Sequence, residues 1–228
     1  MSYKEELINS IEADFTFSKK QINRFVLNKN KDNLSKNEQI NELKKRINSI
    51  QNCNIKKNSR EIIIGDGNIN SSIMIVGEAP SLEDEKNKKT FQGDVGVLLE
   101  KMLLSINLKK EDIYSTYAVN FRPPEDRKPT SSEIKRYSVF LKKHISIIDP
   151  KLIILFGSTA MEALIKSNLR ISIERGKWKE IILKNKIYPL MATYNPSYLI
   201  RFPENKKYSW KDLKEIRRMI KNLNLKIK

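Results

Sequence analysis

A carboxylate directly follows an apolar segment in the middle of the chain. Residues 72–76 read SIMIV, which predicts a buried strand, and Gly77-Glu78-Ala79-Pro80 comes next. Open α/β sheets hold their ligands at the carboxyl ends of the strands, so Glu78 would stand where a ligand binds. A carboxylate there can activate water or stabilise a developing positive charge. The same four residues also fit an ordinary strand-ending turn, and the motif alone leaves both interpretations open.

Two further segments carry residue types suited to a flat ligand and to DNA. Phe91 precedes Gly93 and Gly96, and glycines let the backbone come close to a stacked ring. Residues 195–203 read NPSYLIRFP, in which small polar groups can hold phosphates and an apolar side chain can wedge into a base stack. The alternatives are a core phenylalanine before a helix and a proline-punctuated surface loop.

Strand and helix patterns alternate around these segments. Apolar runs predict strands at 61–65, 72–77, 112–120, 151–157 and 187–194, with a further candidate at 180–185. Amphipathic patterns predict helices at 96–106, 131–148, 158–166 and 209–223. This alternation is typical of an α/β fold with a mainly parallel sheet, which places the chemistry-bearing residues at one edge.

The first part of the chain has a different amino-acid composition. Residues 1–57 contain no Gly or Pro and are rich in Lys and Asn. Ser35 and Glu38 have capping-box spacing, and Ile40, Leu43 and Ile47 recur at helical spacing. We predict a helical extension over 1–57, with a loop near 28–33, packing on a domain of residues 58–228. A DNA-binding arm is the alternative for this extension.

Composition limits the partners and excludes several classes of site. The 228 residues include 44 Lys and Arg against 27 Asp and Glu, a net charge of +17, which favours nucleic acid or an anionic membrane surface. The single cysteine, Cys53, excludes a disulfide framework and thiolate-rich metal sites. The single histidine, His144, excludes His-rich metal sites, and we expect it to be a structural or surface residue. There is no run of ~18 apolar residues and no apolar signal core, which predicts a cytoplasmic protein without a membrane partner.

In order and spacing, these segments resemble the family-4 branch of the uracil-DNA glycosylase superfamily. The resemblance runs from about residue 50 to the C-terminus and rests on GEAP, TFQGDVGVLLEKML, the R-P-P-x-x-R-x-P segment at 122–129 and NPSYLIRFP. It implies a three-layer α/β/α fold with a central, mainly parallel four-stranded sheet, plus the N-terminal helices. It also implies an enzyme that flips a non-standard base out of DNA and hydrolyses its N-glycosidic bond. We expect a cofactor-free monomer that leaves an abasic site without cutting the strand.

The resemblance also assigns roles by position. Glu78 would orient or activate water and stabilise the cationic sugar, Phe91 would stack on the flipped base, and Asn195 would polarise it. The other base-pocket positions are Ala79, Pro80 and Tyr117. The expected DNA contacts are Ser81, Ser197, Tyr198, Leu199, Arg201 and Lys206.

This sequence departs from the family-4 pattern where that branch usually binds a four-iron cluster. The matching positions are Ile50, Cys53, Phe121 and Tyr137, and one thiolate cannot hold such a cluster. We therefore predict no iron–sulfur centre, with Phe121 and Tyr137 as core residues in that space.

The two base-reading positions also differ. Asn195 stands where the family has His, and Tyr117 stands where it has Asn, unless a shifted alignment gives that role to Asn120. The predicted base is therefore uracil or a modified pyrimidine, such as hydroxymethylated or glucosylated cytosine of phage DNA, on which Tyr117 and Tyr194 would stack well. The second would make the protein a defence enzyme. A DNA-binding module that kept the fold and lost catalysis is the alternative from another class.

Overall fold

A six-stranded sheet forms the centre of the protein. The computed structural model describes residues 34–165 and 169–225, and the chain from Ser35 onward forms one compact unit. The predicted loop near 28–33 lies outside the described residues. The strand order is β1-β3-β2-β4-β6-β5. The strands are β1 (Asp66–Gly67), β2 (Ile73–Gly77), β3 (Ile113–Tyr117), β4 (Leu152–Phe156), β5 (Trp178–Leu183) and β6 (Lys186–Thr193).

The four inner strands confirm the predicted parallel sheet. β2 pairs in parallel with β3 and β4, and β4 pairs in parallel with β6. The short strand β1 and strand β5 are the outermost strands of the sheet, and both pair antiparallel with their neighbours. Parallel strands all point the same way, so the segments after β2, β3, β4 and β6 emerge at a single edge of the sheet.

One predicted strand is wrong. Residues 61–65 are not a strand, and pairing with β3 begins only at Asp66. The segment is instead held by bonds to residues at the end of β3 and beyond it. The Ile63 N–H donates to the Asn120 carbonyl at 2.9 Å, and the Thr116 hydroxyl donates to the Ile64 carbonyl at 2.6 Å. Ile62 and Ile63 are buried, so the apolar run reports burial rather than pairing.

Helices cover both faces of the sheet. They are α1 (Lys36–Asn48), α2 (Asn54–Asn58), α3 (Leu82–Asn87), α4 (Gly93–Leu104), α5 (Ser131–Ile148), α6 (Ser158–Leu164), α7 (Ile171–Glu174), α8 (Pro196–Arg201) and α9 (Lys206–Asn222). Side chains alternate along each strand, so Ile153 and Leu155 of β4 join one core with α1, α5 and α6. Leu152 and Ile154 join a second core with α4 and α9. The protein therefore has three layers, α/β/α, as predicted.

Local sequence explains where the main helices begin. Ser35 and Glu38 form the predicted capping box of α1, whose Ile40, Leu43 and Ile47 are buried. Thr130 and Glu133 form another capping box, and α5 spans the predicted residues. Within the described ranges, no helix combines the length and apolar character needed to span a bilayer. The division of the chain at residue 57 stays a prediction.

Candidate functional site

A pocket of about 160 Å³ lies where the parallel strands end. We call it the strand-end pocket. It brings together eight residues that the sequence singled out, namely Glu78, Ala79, Pro80, Ser81, Phe91, Tyr117, Asn195 and Ser197. They come from the segments after β2 and β6, from the end of β3 and from the segment before α4. The parallel topology therefore assembles residues that lie more than 100 positions apart.

Glu78 is the partly exposed carboxylate of this pocket. Its Oε2 accepts a hydrogen bond of 2.6 Å from the hydroxyl of Thr159, a fully buried residue in the first turn of α6. That bond holds one carboxylate oxygen, while Oε1 has no hydrogen-bond partner among the described residues. Thr159 was not among the predicted site residues, although its position at a helix start just after β4 is a signal of the same kind as that for Glu78.

Asn195 is oriented by the helix that it caps. Its Oδ1 accepts hydrogen bonds from the backbone N–H and the hydroxyl of Ser197, both at 3.0 Å. The side-chain oxygen is thereby used by α8, and the amide NH₂ has no partner in the described part of the chain. Gly157 allows this placement because it has φ 97°, and a Cβ there would lie 3.2 Å from that of Asn195. The site thus presents a neutral N–H donor in the same pocket as a carboxylate.

Phe91 and Tyr117 form an aromatic wall of the pocket. Their ring centroids are 5.0 Å apart. The Tyr117 hydroxyl accepts the Phe91 N–H at 2.7 Å and donates to Asp84 Oδ2 at 2.9 Å. Phe91 has φ 50°, an uncommon left-handed conformation for a bulky residue, and the Tyr117 bond holds it there. Burial, and then the negative charge of Asp84, raises the pKa of Tyr117 well above its ordinary value, so Tyr117 stays a neutral donor.

Asp84 organises this wall and was not among the predicted site residues. It is 3% exposed and accepts four hydrogen bonds, from the backbone N–H and hydroxyl of Ser81, from the Gln92 N–H and from the Tyr117 hydroxyl. The spacing of Ser81 and Asp84 is that of a capping box at the start of α3, which is the signal that could have found it. The hydroxyl of Ser81, proposed to contact DNA, is engaged in this cap.

Asn120, the base-reading residue in a shifted alignment, does not line the strand-end pocket. Asn120 is buried, and its amide donates to the Ile63 carbonyl at 3.1 Å, outside the strand-end pocket. Tyr117 lines the pocket instead.

A larger cavity of about 550 Å³ continues from the strand-end pocket. We call it the outer groove. The two share Glu78, Asp126, Asn195 and Ser197, and the groove is further lined by Tyr198 and Arg201, Lys128 and Tyr194. Tyr194 stacks on Tyr198 at 5.0 Å, and Tyr198 lies 4.9 Å from Phe202. The Tyr194 ring centroid also lies 5.5 Å from the Arg175 guanidinium, which forms an ion pair with the buried Asp212. Aromatic rings and cations thus line a groove that leads to the carboxylate.

The structure corrects the role predicted for Leu199. Leu199 is 1% exposed and packs in the core with α9, so it is not available to wedge between bases. The exposed apolar side chains of this segment are Ile200 at 41% and Phe202 at 45%. Lys206, also predicted to contact DNA, is exposed at the start of α9 but lies outside the outer groove.

The residues at the family-4 cluster positions do not fit an iron–sulfur cluster. Cys53 is buried, and its Sγ lies 3.3 Å from the Tyr137 hydroxyl. Phe121 packs edge-on against Tyr137 at 6.3 Å, and Ile50 packs against the same core. The set offers one thiol where such a cluster needs four. Among the described residues, no three His, Cys, Asp or Glu side chains are grouped to hold a metal ion.

His144 is a structural residue of the core on the α5 side. It is 2% exposed, and its Nε2 lies 3.0 Å from the Tyr114 hydroxyl. Burial lowers the pKa of His144 to about 4, so it is neutral near pH 7. It does not line the strand-end pocket or the outer groove.

Comparison with known proteins adds to this geometry. The family model described as the uracil DNA glycosylase superfamily matches residues 64–217. A type-4 uracil-DNA glycosylase of Thermotoga maritima is 33% identical over 154 residues, covering 67% of this chain and 79% of that protein. A type-4 uracil-DNA glycosylase of Archaeoglobus fulgidus is 30% identical over 183 residues, covering 78% of this chain and 92% of that protein. The range matched by the family model contains the whole strand-end pocket.

Proposed function

Because this chain belongs to the uracil-DNA glycosylase superfamily, we propose that it is a DNA glycosylase that leaves an abasic site. One observation carries the proposal: the same pocket is lined by a carboxylate and an amide, and among the described residues one carboxylate oxygen and the amide NH₂ have no hydrogen-bond partner. Glycosidic cleavage builds positive charge on the sugar and negative charge on the departing base. The pocket offers one group for each charge.

The proposed reaction uses both groups. The enzyme flips the target base out of the DNA, and the base then lies against Phe91 with its sugar beside Glu78. Water attacks C1′ as the N-glycosidic bond breaks, and the bonding electron pair leaves with the base. Glu78 orients that water, accepts its proton and stabilises the oxocarbenium-like sugar. The Asn195 amide donates to a base oxygen as negative charge grows there. The proton passes from Glu78 to solvent or to the released base.

The reaction needs no lysine nucleophile, which is why we propose a monofunctional enzyme. Lys86 pairs with Glu83 and Lys88 pairs with Glu61, both at 2.9 Å. Lys86, Lys88 and Lys89 all lie outside the strand-end pocket. Strand cleavage should then appear only after alkali treatment of the abasic product. We further propose that the protein works in the cytoplasm as a monomer without a cofactor.

Two base classes remain in the proposal. The relatives named as type-4 uracil-DNA glycosylases support uracil. A modified pyrimidine, such as hydroxymethylated or glucosylated cytosine, is supported by the Tyr117 hydroxyl. This hydroxyl donates its one proton to Asp84 and accepts the Phe91 N–H, so it has no proton to donate to uracil at this position. The outer groove also has room for a base substituent. The stacking predicted for Tyr194 is wrong, because Tyr194 is 8% exposed and its ring already packs against Tyr198. With a modified pyrimidine as its base, the protein would act in defence against phage.

The test is base release from oligonucleotides carrying U opposite A, U opposite G, hydroxymethylcytosine or glucosylated hydroxymethylcytosine. Alkali reveals abasic sites, and Glu78→Gln serves as the catalytic control. Uracil release would favour a repair glycosylase, and release of a modified cytosine alone would favour phage DNA as the target. Intact DNA binding without release from any substrate would contradict the enzyme and support the second candidate, a DNA-binding module. The altered base-reading positions favour that candidate.

A further inference from the structure

An apolar cleft between α4 and α9 lies outside the site described above. It encloses about 190 Å³, and Met102, Leu199 and Leu213 form its walls. Trp210 lines it and is 42% exposed. The exposed part of the indole is therefore available to stack on a flat ligand.

Charge around the cleft identifies the kind of partner. Lys101 and Lys206 line the cleft, are exposed, and form no ion pair in the described part of the chain. The ammonium of Lys214 also lies 5.9 Å from the Trp210 ring centroid. An aromatic, apolar slot with exposed cations at its rim fits a flat apolar group attached to an anion. A nucleobase with its phosphate has this combination.

The position of the cleft agrees with this occupant. Leu199 of its wall lies on α8, two residues after Ser197 of the strand-end pocket, a rise of about 3 Å along the helix. The short helix α8 therefore contributes a residue to both sites. A DNA strand whose target base enters the pocket can present a neighbouring base at the cleft.

We propose that the cleft between α4 and α9 is a second nucleotide site, which takes an unstacked base of the DNA strand beside the target. Trp210 stacks on that base, and Lys101 and Lys206 bind its phosphates. This site rests on DNA being the substrate, as proposed above, and does not depend on base excision. It favours single-stranded or locally opened DNA, because a paired base cannot enter a slot of this kind.

Tryptophan fluorescence can test the proposal. The chain has two tryptophans, so Trp178→Phe leaves Trp210 as the only indole. In a Glu78→Gln background, which prevents turnover, a single-stranded oligonucleotide with a labelled end is titrated while its anisotropy gives Kd independently. We expect saturable quenching of Trp210 fluorescence with the same midpoint as the anisotropy change. Unchanged fluorescence at saturating DNA would overturn the proposal and leave a protein partner as the occupant of the cleft.

Variants give a second, independent measurement. Trp210→Ala should raise Kd roughly five- to hundredfold, the fold-change that corresponds to stacking of one base on an aromatic ring. Lys101→Ala and Lys206→Ala should each lower the slope of log Kd against log salt concentration by about 0.7. Lys151→Ala is the matched control. Lys151 is an exposed lysine just before β4, so it lies at the end of the strands opposite the strand-end pocket, and it does not line the cleft. Equal effects of Lys151→Ala and Lys101→Ala would contradict a specific site.

The two proposals fail separately. Absence of base release with intact quenching of Trp210 would sink the glycosylase and leave the second nucleotide site. Base release together with an unchanged Kd for Trp210→Ala would support the glycosylase and contradict the second nucleotide site.

Discussion

Replacing Tyr117 by Phe removes one hydroxyl that two other residues use. The Phe91 N–H donates to it at 2.7 Å, and it donates to Asp84 Oδ2 at 2.9 Å. The ring itself, which is 3% exposed, would stay in place. The substitution therefore separates the hydroxyl's bonds from the aromatic wall that it supports.

The expected loss of stability follows from these two bonds. A buried N–H left without a partner costs about 1–3 kcal/mol, and a hydrogen bond to a charged group contributes about 1.5–3 kcal/mol. Asp84 keeps three of its donors, so the second loss is partly compensated. We expect Tyr117→Phe to lower the free energy of unfolding by about 2–4 kcal/mol. For a chain of this length that lowers Tm by roughly 5–15 °C.

Base release should fall for every substrate that the enzyme accepts. Without its hydroxyl partner, Phe91 is no longer held in its left-handed conformation, and a displacement of about 1 Å can cost roughly a hundredfold in rate. The loss should be proportional across substrates, because the hydroxyl supports the wall and does not read the base. Urea unfolding and single-turnover base release measure the two effects.

Tyr114→Phe is the matched control. It removes another buried hydroxyl, which lies 3.0 Å from His144 Nε2 in the core on the α5 side. It should lower the free energy of unfolding by about 1–2 kcal/mol and leave base release unchanged. A Tyr117→Phe variant with wild-type stability and a changed base preference would contradict this supporting role, because Tyr117 would then read the base.

Three further predictions follow from burial. As pH falls from 6.5 to about 4, the free energy of unfolding should fall by about 3 kcal/mol. The reason is that His144 takes up a proton in the unfolded chain, whereas burial keeps it neutral in the folded protein. Urea unfolding measures this, and the same pH dependence should be absent from His144→Gln. Leu199→Ala should lower the free energy of unfolding by about 2–5 kcal/mol. Ile200→Ala should change it by less than about 0.5 kcal/mol and should slow base release from duplex DNA. Slower base release by Leu199→Ala at unchanged stability would show that Leu199, and not Ile200, enters the base stack. Metal analysis should find no iron in the purified protein, and Cys53→Ala should keep base release while lowering stability by about 1 kcal/mol; loss of release on that change would contradict a structural role.

Much of the fold could be predicted because it is recorded locally. Helix α5 begins and ends at the predicted residues because Thr130 and Glu133 cap its start and Asp149, in a left-handed conformation, ends it. The inner strands β2 and β4 are apolar on both faces because helices cover both sides of the sheet. Residues 61–65 have the same apolar character, but their partners lie at and beyond the end of β3, and no local pattern shows which partner a buried segment will find.

The sequence by itself determined the family, the α/β architecture and the identity of Glu78, Phe91 and Asn195 as candidates, because motif order and hydrophobic periodicity are properties of the chain. Only the tertiary structure decided how those residues are held. Thr159 reaches Glu78, and Asp84 reaches Tyr117, from segments distant along the chain. Packing likewise removed Leu199 from the surface and left Trp210 exposed in a cleft lined by two exposed lysines. Such contacts depend on which elements pack together in three dimensions, and hydrogen-bonding partners and exposure are set only at that stage.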